Sequence, residues 1–180
     1  MKTEDDSIIV GNSLDGDPAS FGILVNKYSQ AIFNLTFRML GDRDDAADMT
    51  QSTFTKAFEN LHTFNRKQKF FSWLYRIAIN ESLNALEKRK PTGDIPENLP
   101  SRELAPDDAV HALEEQELVR RALMALTPEY RSVVSLRYFT ELTYEQMSVT
   151  LGISEKKVKS RLFSARQQLR VLLVHQGIAQ

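Results

Sequence analysis

The segment LTYEQMSVTLGISEKKVKSRLFSARQQLR, residues 142–170, constrains this chain more than any other, because its spacing is that of a helix-turn-helix. A first short helix over about 144–151 carries Ser148, small enough for two crossing helices to approach each other. Gly152 follows where the turn needs a positive φ, and Ser154 then stands as N-cap of a second helix. In that helix Val158, Leu162, Ala165 and Leu169 recur at helical spacing and face inward, leaving Lys156, Lys159, Ser160, Phe163, Gln167 and Arg170 on the opposite side. Between 155 and 170 six Lys/Arg stand against Glu155 alone, a net +5 that suits neutralisation of phosphates. The plainer reading is a solvated basic helix, and the offsets of Ser148, Gly152 and Val158 argue against it.

The formal net charge of −1 hides a strong segregation. Residues 66–90 hold seven basic and two acidic groups, a second +5 block, whereas residues 94–117 hold eight acids against Arg102, or −7. Two basic blocks imply two contacts with one polyanion, and the acidic middle should avoid DNA or imitate it. With 42% apolar and 26% charged residues the chain is globular rather than disordered. It has no cysteine, so no disulfide framework or thiolate metal site is available, and the cytoplasm is the expected compartment. Neither a signal-type h-region nor a membrane span is present, so no membrane insertion is expected.

Apolar spacing predicts an all-α fold of two small helical domains joined by a flexible, acidic, Pro-containing linker. Residues 1–17 read as an N-terminal tail. Asp17-Pro18 then opens a helix whose stripe is Phe21, Leu24, Val25, Tyr28, Ile32, Leu35 and Met39, and Gly41 ends it. A second helix from about Asp42 is expected to bury Ala47, Phe54, Phe58 and Leu61, with Asp44, Asp48, Gln51 and Thr55 forming an outer polar ridge. A third runs from about Phe70 to Lys90 and stops before Pro91. Residues 92–106 form the linker. In the second domain, 107–176, Leu113, Leu118, Val119 and Leu126 lie on an apolar pattern, and Thr127-Pro128 caps a helix holding Val133, Val134 and Leu136.

Enzymatic chemistry finds little footing. His62, His111 and His175 are scattered without a second ligand at metal spacing, and no Gly-rich phosphate loop, nucleophile elbow or HExxH occurs. No metal, cofactor or catalytic residue is expected. The third helix instead places Phe70, Phe71, Trp73 and Tyr75 beside the basic loop NRKQK. Aromatic faces stack on unpaired bases at about 1–3 kcal/mol each while Lys and Arg hold the backbone, so this cluster suits single strands. Trp73, Arg76, Asn80 and Asn84 share one helical face, and an Asn amide can read a base edge. Equally, Trp73, Leu74 and Ile77 can be core, with one of Phe70 and Phe71 beside them.

A polar-ridged helix, an aromatic and basic helix, an acidic Pro-rich linker and a helix-turn-helix, in that order, resemble the extracytoplasmic-function (group IV) sigma factors of bacterial RNA polymerase, within the sigma-70 family. The resemblance rests on GDRDDAADMTQSTFTKAF (41–58), FFSWLYRIAIN (70–80), LTPEYRSVVSLRYF (126–139) and the helix-turn-helix. It implies that residues 18–91 are sigma domain two, which docks on polymerase and melts the minus-10 element, and that 107–176 are sigma domain four, which reads the minus-35 element. Docking on the clamp coiled coil of the largest polymerase subunit is thereby assigned to Asp45, Asp48, Gln51 and Thr55. Minus-10 recognition and melting fall to Phe64, Lys67, Lys69, Trp73, Tyr75, Arg76, Asn80 and Asn84, with Asn80 near a flipped base. Minus-35 contact falls to Lys159, Ser160, Arg161, Phe163, Ser164 and Arg166, with the basic Lys156 and Lys157 beside them. The implied partners are core polymerase, through its clamp coiled coil and flap, promoter DNA and an anti-sigma factor. The chain departs from the family pattern at Ser52, where Glu is usual, at Glu155-Lys156-Lys157, where small residues are commoner, and at Ser164, where Arg or His is frequent.

Two other readings compete. A helix-turn-helix repressor or activator would explain the C-terminal half and predicts a dimer on a palindrome, but it gives the Trp73/Arg76/Asn80 face no purpose. A helical scaffold protein would need no reading face at all.

Overall fold

A computed structural model of the chain describes residues 6–89 and 117–175, in which the ordered elements are helices with no strand among them. In chain order these are α1 (Asp6–Leu14), α2 (Pro18–Leu40), α3 (Arg43–Glu59), a 3-10 turn (Leu61–Thr63), α4 (Phe70–Lys88), α5 (117–124), α6 (Pro128–Phe139), α7 (Tyr144–Leu151) and α8 (Glu155–His175). The linker 92–106 and Leu113 lie outside the described residues.

Caps set the helix ends as their residue types require. Asp17 accepts from the Ala19 amide at 2.9 Å and the Ser20 hydroxyl at 2.6 Å, Pro18 opens α2, and Gly41 at φ 75° closes it by donating to the Phe37 carbonyl. Asp42 caps α3 through the Asp44 and Asp45 amides, and Thr127 caps α6 through the Tyr130 amide.

Helices α2, α3 and α4 pack around Leu24, Ile32, Leu35, Met39, Leu74 and Ile79, each at most 2% exposed. Three expectations need correction here. Residues 6–14, expected as tail, form α1, which buries Ile9 and Val10 on α2 and ties Asp6 to Lys27 at 2.6 Å and to the Tyr28 hydroxyl. On α3 the expected face holds in part: Phe54 is buried, as is Leu61 just after the helix, but Ala46, Thr53 and Ala57 take the inward places expected of Ala47 and Phe58, Ala47 being exposed and Phe58, 52% exposed, lying edge-on to Phe21. In α5 the inward residues are Ala122 and Leu123, and Val119 is 45% exposed.

The two groups of helices are docked, α2 on α6 and α4 on α7. Arg131 of α6 is 5% exposed and donates to the carbonyls of Leu123 (2.9 Å) and Met124 (3.0 Å) at the end of α5, of Leu126 (3.0 Å) just after it, and of Met39 near the end of α2. Arg120 donates to the Gly41 carbonyl at 3.2 Å. The last carbonyls of a helix have no intrahelical donor and carry the negative end of its dipole, so these cations serve both groups at once. The Arg38 guanidinium lies 4.0 Å from the Phe139 ring centroid on the same seam.

Candidate nucleic-acid and polymerase interfaces

The helix-turn-helix forms as the spacing demands. Thr143 and Gln146 make a reciprocal capping box on α7, at 3.2 and 2.9 Å, and Gly152 at φ 64° donates to the Ser148 carbonyl. Ser148 does more than stay small: its hydroxyl donates to the Ile153 carbonyl at 2.6 Å, pinning the turn. Val158, Leu162 and Ala165 of α8 are buried, 0 to 2% exposed, and burial of the Val158 and Leu162 side chains contributes roughly 1.5–3 kcal/mol each. Of the expected minus-35 residues, Lys156, Lys157, Lys159, Ser160, Phe163 and Arg166 are exposed, and Arg161 and Ser164 are half-buried on the opposite flank of the helix. Phe163, at 65% exposure, is a large apolar ring presented to solvent amid cations.

Two tyrosines from neighbouring helices reach this face, and the sequence reading missed both. The Tyr138 hydroxyl of α6 accepts from Arg166 Nε at 2.7 Å. Tyr144 of α7 has the Lys159 ammonium 5.3 Å and the Arg137 guanidinium 5.2 Å from its ring centroid, while Lys159 also lies 3.8 Å from Glu155. Their signal in sequence was weak, since they belong to other helices than the cations they hold.

In the first unit the expected minus-10 set divides. Arg76, Asn80 and Asn84 are exposed on one row of α4, Trp73 is half-buried, and Lys67 and Lys69 are exposed in the preceding loop. Phe64, expected in the minus-10 set from the family resemblance, and Tyr75, expected as a stacking ring, are 8% and 7% exposed and lie in the core, so neither presents a ring face here. For Phe64 the reason is local: the 3-10 turn folds the loop back so that Phe64 meets Phe70 and Trp73 at 5.7 and 5.4 Å, and Phe70 meets Tyr28 at 5.8 Å. Burial pushes the Tyr75 hydroxyl pKa up.

On α3 the ridge is presented as expected for Asp48, Gln51 and Thr55, all exposed. Gln51 and Thr55 stand between two shallow grooves: one of about 470 Å³ against α2, with Val25, Phe33 and Phe54 in its wall, and one of about 500 Å³ lined also by Asp48, Lys56 and Glu59. Asp45 is half-buried and paired with Arg89 at the end of α4, so it braces the ridge rather than standing free on it. Behind the ridge Glu81 of α4 accepts from Ser52 at 2.8 Å and from Lys56 at 2.6 Å. Burial raises the Glu81 pKa, but the bonds and charge of Lys56, with Ser52 and Asn84, outweigh it and hold the carboxyl below its usual range. A glutamate at position 52 would face the Glu81 carboxylate, whereas the Ser52 hydroxyl donates to it.

No helix of the described residues is long and apolar enough to cross a membrane. A polar ridge, a cationic and amide-bearing row beside it, and a capped helix-turn-helix in a second unit define a two-part nucleic-acid-reading protein. Residues 24–92 match the family model of sigma-70 region 2, and residues 116–169 that of sigma-70 region 4. The chain is 32% identical over 167 residues to the ECF RNA polymerase sigma factor SigW of Bacillus subtilis, covering 86% of this chain and 89% of that protein. It is 30% identical over 176 residues to the ECF RNA polymerase sigma-E factor of Escherichia coli, covering 91% and 92%. The fold is similar to that of CnrH in complex with the cytosolic domain of CnrY (TM-score 0.76, 24% identity, 96% and 99% covered). It is also similar to the sigma factor RpoE of Bartonella quintana in complex with the anti-sigma factor NepR (TM-score 0.66, 22% identity, 85% and 96% covered). The chain belongs to the ECF sigma factors of RNA polymerase.

Proposed function

We propose that this chain binds core RNA polymerase through the α3 ridge at Asp48, Gln51 and Thr55, reads and melts the minus-10 element with Lys67, Lys69, Trp73, Arg76, Asn80 and Asn84, and reads the minus-35 element with the exposed face of α8. It is an initiation factor rather than a catalyst in this reading, acting in the cytoplasm where polymerase meets promoter DNA. Domain two spans 18–91 and domain four 107–176, with α1 as an added brace on the first.

The observation that carries this reading is the presence, in one chain, of two exposed cationic surfaces on separate helical units, Lys67, Lys69 and the Arg76 row on one and Lys156, Lys159 and Arg166 on the other. Elements centred at −10 and −35 lie roughly 85 Å apart on duplex DNA at ~3.4 Å per base pair. In the docked arrangement Arg76 Nη2 lies only 3.0 Å from the position a Cβ on Gly152 would take, so the minus-10 row abuts the helix-turn-helix. Both elements can therefore be read only after α4 and α7 part, and residues 90–116 can reach on the order of 90 Å at full extension. The docked form is the unengaged one, which an anti-sigma factor would hold; the fold is similar to that of a sigma factor solved with an anti-sigma factor.

Affinity for core polymerase tests the docking face. Asp48→Arg and Gln51→Ala should each weaken binding by severalfold or more with helicity unchanged, since both side chains are exposed on the ridge. Equal binding by wild type and both variants would move the docking face elsewhere.

A further inference from the structure

Arg166 and Tyr138 form a contact that the docking and reading roles do not use. Arg166 lies eleven residues beyond the start of α8, about 16 Å along the axis at ~1.5 Å per residue, whereas base edges are met by the first turns of a recognition helix. A guanidinium so placed meets the sugar-phosphate backbone at the rim of the groove rather than a base. Tyr138, on α6, is 52% exposed, and no core role explains its position. Its hydroxyl accepts from Arg166 Nε at 2.7 Å, and its ring centroid lies 5.7 Å from the guanidinium carbon. Held by Nε, the guanidinium keeps both Nη amines for a bidentate contact with one phosphate, and no carboxylate pairs with it among the described residues. A long arginine loses rotamer freedom when it binds; one already held at Nε loses less, so its contact is stronger.

We infer that Tyr138 is a positioning residue for promoter binding, which fixes Arg166 as a clamp for a backbone phosphate flanking the minus-35 element. The inference rests on the reading that the exposed face of α8 meets the minus-35 duplex. The contact thus extends the DNA-binding surface of the helix-turn-helix to α6, outside the two helices that define the motif.

The test is a double-mutant cycle in holoenzyme, made from the full chain and core polymerase, with promoter DNA affinity measured over a series of KCl concentrations. Tyr138→Phe removes the hydroxyl and keeps the ring; because the hydroxyl stands at the surface, folding should be unaffected, as circular dichroism would verify. Arg166→Ala should weaken binding about tenfold and lower the salt slope by about 0.9, the value for one phosphate contact. Tyr138→Phe alone should weaken binding about threefold to fivefold, and in the Arg166→Ala background it should change nothing further. Additive losses would show that Tyr138 meets DNA independently and would overturn the positioning role. So would a Tyr138→Phe variant that binds like wild type while Arg166→Ala is impaired, with the minus-35 reading left standing. An Arg166→Ala variant with full affinity and unchanged salt slope would remove Arg166 from the DNA-binding surface and the inference with it.

Discussion

Replacing Arg131 by leucine should be the most damaging single change away from any binding face. Its guanidinium is 5% exposed and answers four backbone carbonyls, at Leu123, Met124, Leu126 and Met39, with no carboxylate partner among the described residues. Hydrogen bonds to a charged group contribute about 1.5–3 kcal/mol each, so four would amount to roughly 6–12 kcal/mol. Desolvation of the cation, which pulls its pKa down to about 10, offsets much of that. Arg131→Leu removes the charge and leaves buried carbonyls without their donor, at about 1–3 kcal/mol each, and with the regained desolvation set against this a net loss of roughly 3–5 kcal/mol is expected. At about 2–4 °C per kcal/mol for a chain of this size, the thermal midpoint should fall by roughly 6–20 °C. Arg131→Lys keeps the charge but not the fork and should fall in between. Circular dichroism melting at 222 nm reads both. A leucine variant that melts within about 2 °C of wild type would refute the claim that these carbonyls depend on Arg131.

Asn80→Ala should leave polymerase binding and minus-35 recognition near normal, yet slow open-complex formation and blur preference at one minus-10 position by about 1–3 kcal/mol, because the residue is exposed on the Arg76 row. Permanganate reactivity of unpaired thymines measures this, and a wild-type opening rate with unchanged preference would return base reading to the 63–69 loop. Acid stability should respond to Glu81 and Glu117. Lys56 and Ser52 hold Glu81 below the usual 4.5 against the opposing effect of burial, and hydrogen bonds from Arg120 and then Arg121 take Glu117 to about 2. For a carboxyl whose folded pKa is depressed, the stabilisation is present above about 4.5 and lost as pH falls through the folded value, here between about 4.5 and 2 for Glu117. Melting midpoints of wild type should therefore drop more steeply below pH 4.5 than those of Glu81→Gln, and parallel curves would contradict the role given to Glu81.

The helix-turn-helix was legible almost residue by residue, because its constraints are local: Gly152 needs a positive φ, Ser154 caps, and Val158, Leu162 and Ala165 share one face. The all-α architecture and the α2 stripe were legible for the same reason. The inward face of α3 was read correctly at Phe54 and Leu61 but not at Ala47 and Phe58, since Ala46 and Ala47 are adjacent and either satisfies the period, and Phe58 suggested burial by its size alone. Helix α1 offers only two buried residues and no repeating stripe, so periodicity could not reveal it. Tyr75 was read as a stacking ring because aromatic residues beside cations fit both a core and a single-strand site, and Phe64 came only with the family resemblance; the fold-back of the 3-10 turn decides for Phe64. The docking of the two units was invisible in sequence, since Arg131 and Arg120 bond to backbone carbonyls, and a carbonyl has no side-chain signature.

Promoter-dependent run-off transcription measures the central claim most directly. Core polymerase alone should give no discrete product from a template carrying a promoter for this chain, selected from random DNA by its holoenzyme. Adding the wild-type chain should give one transcript with a fixed start downstream of a melted minus-10 element, and scrambling either the minus-10 or the minus-35 element should abolish it. A chain that binds DNA as a free dimer on a palindrome, and leaves core polymerase without any promoter-specific start, would contradict the assignment.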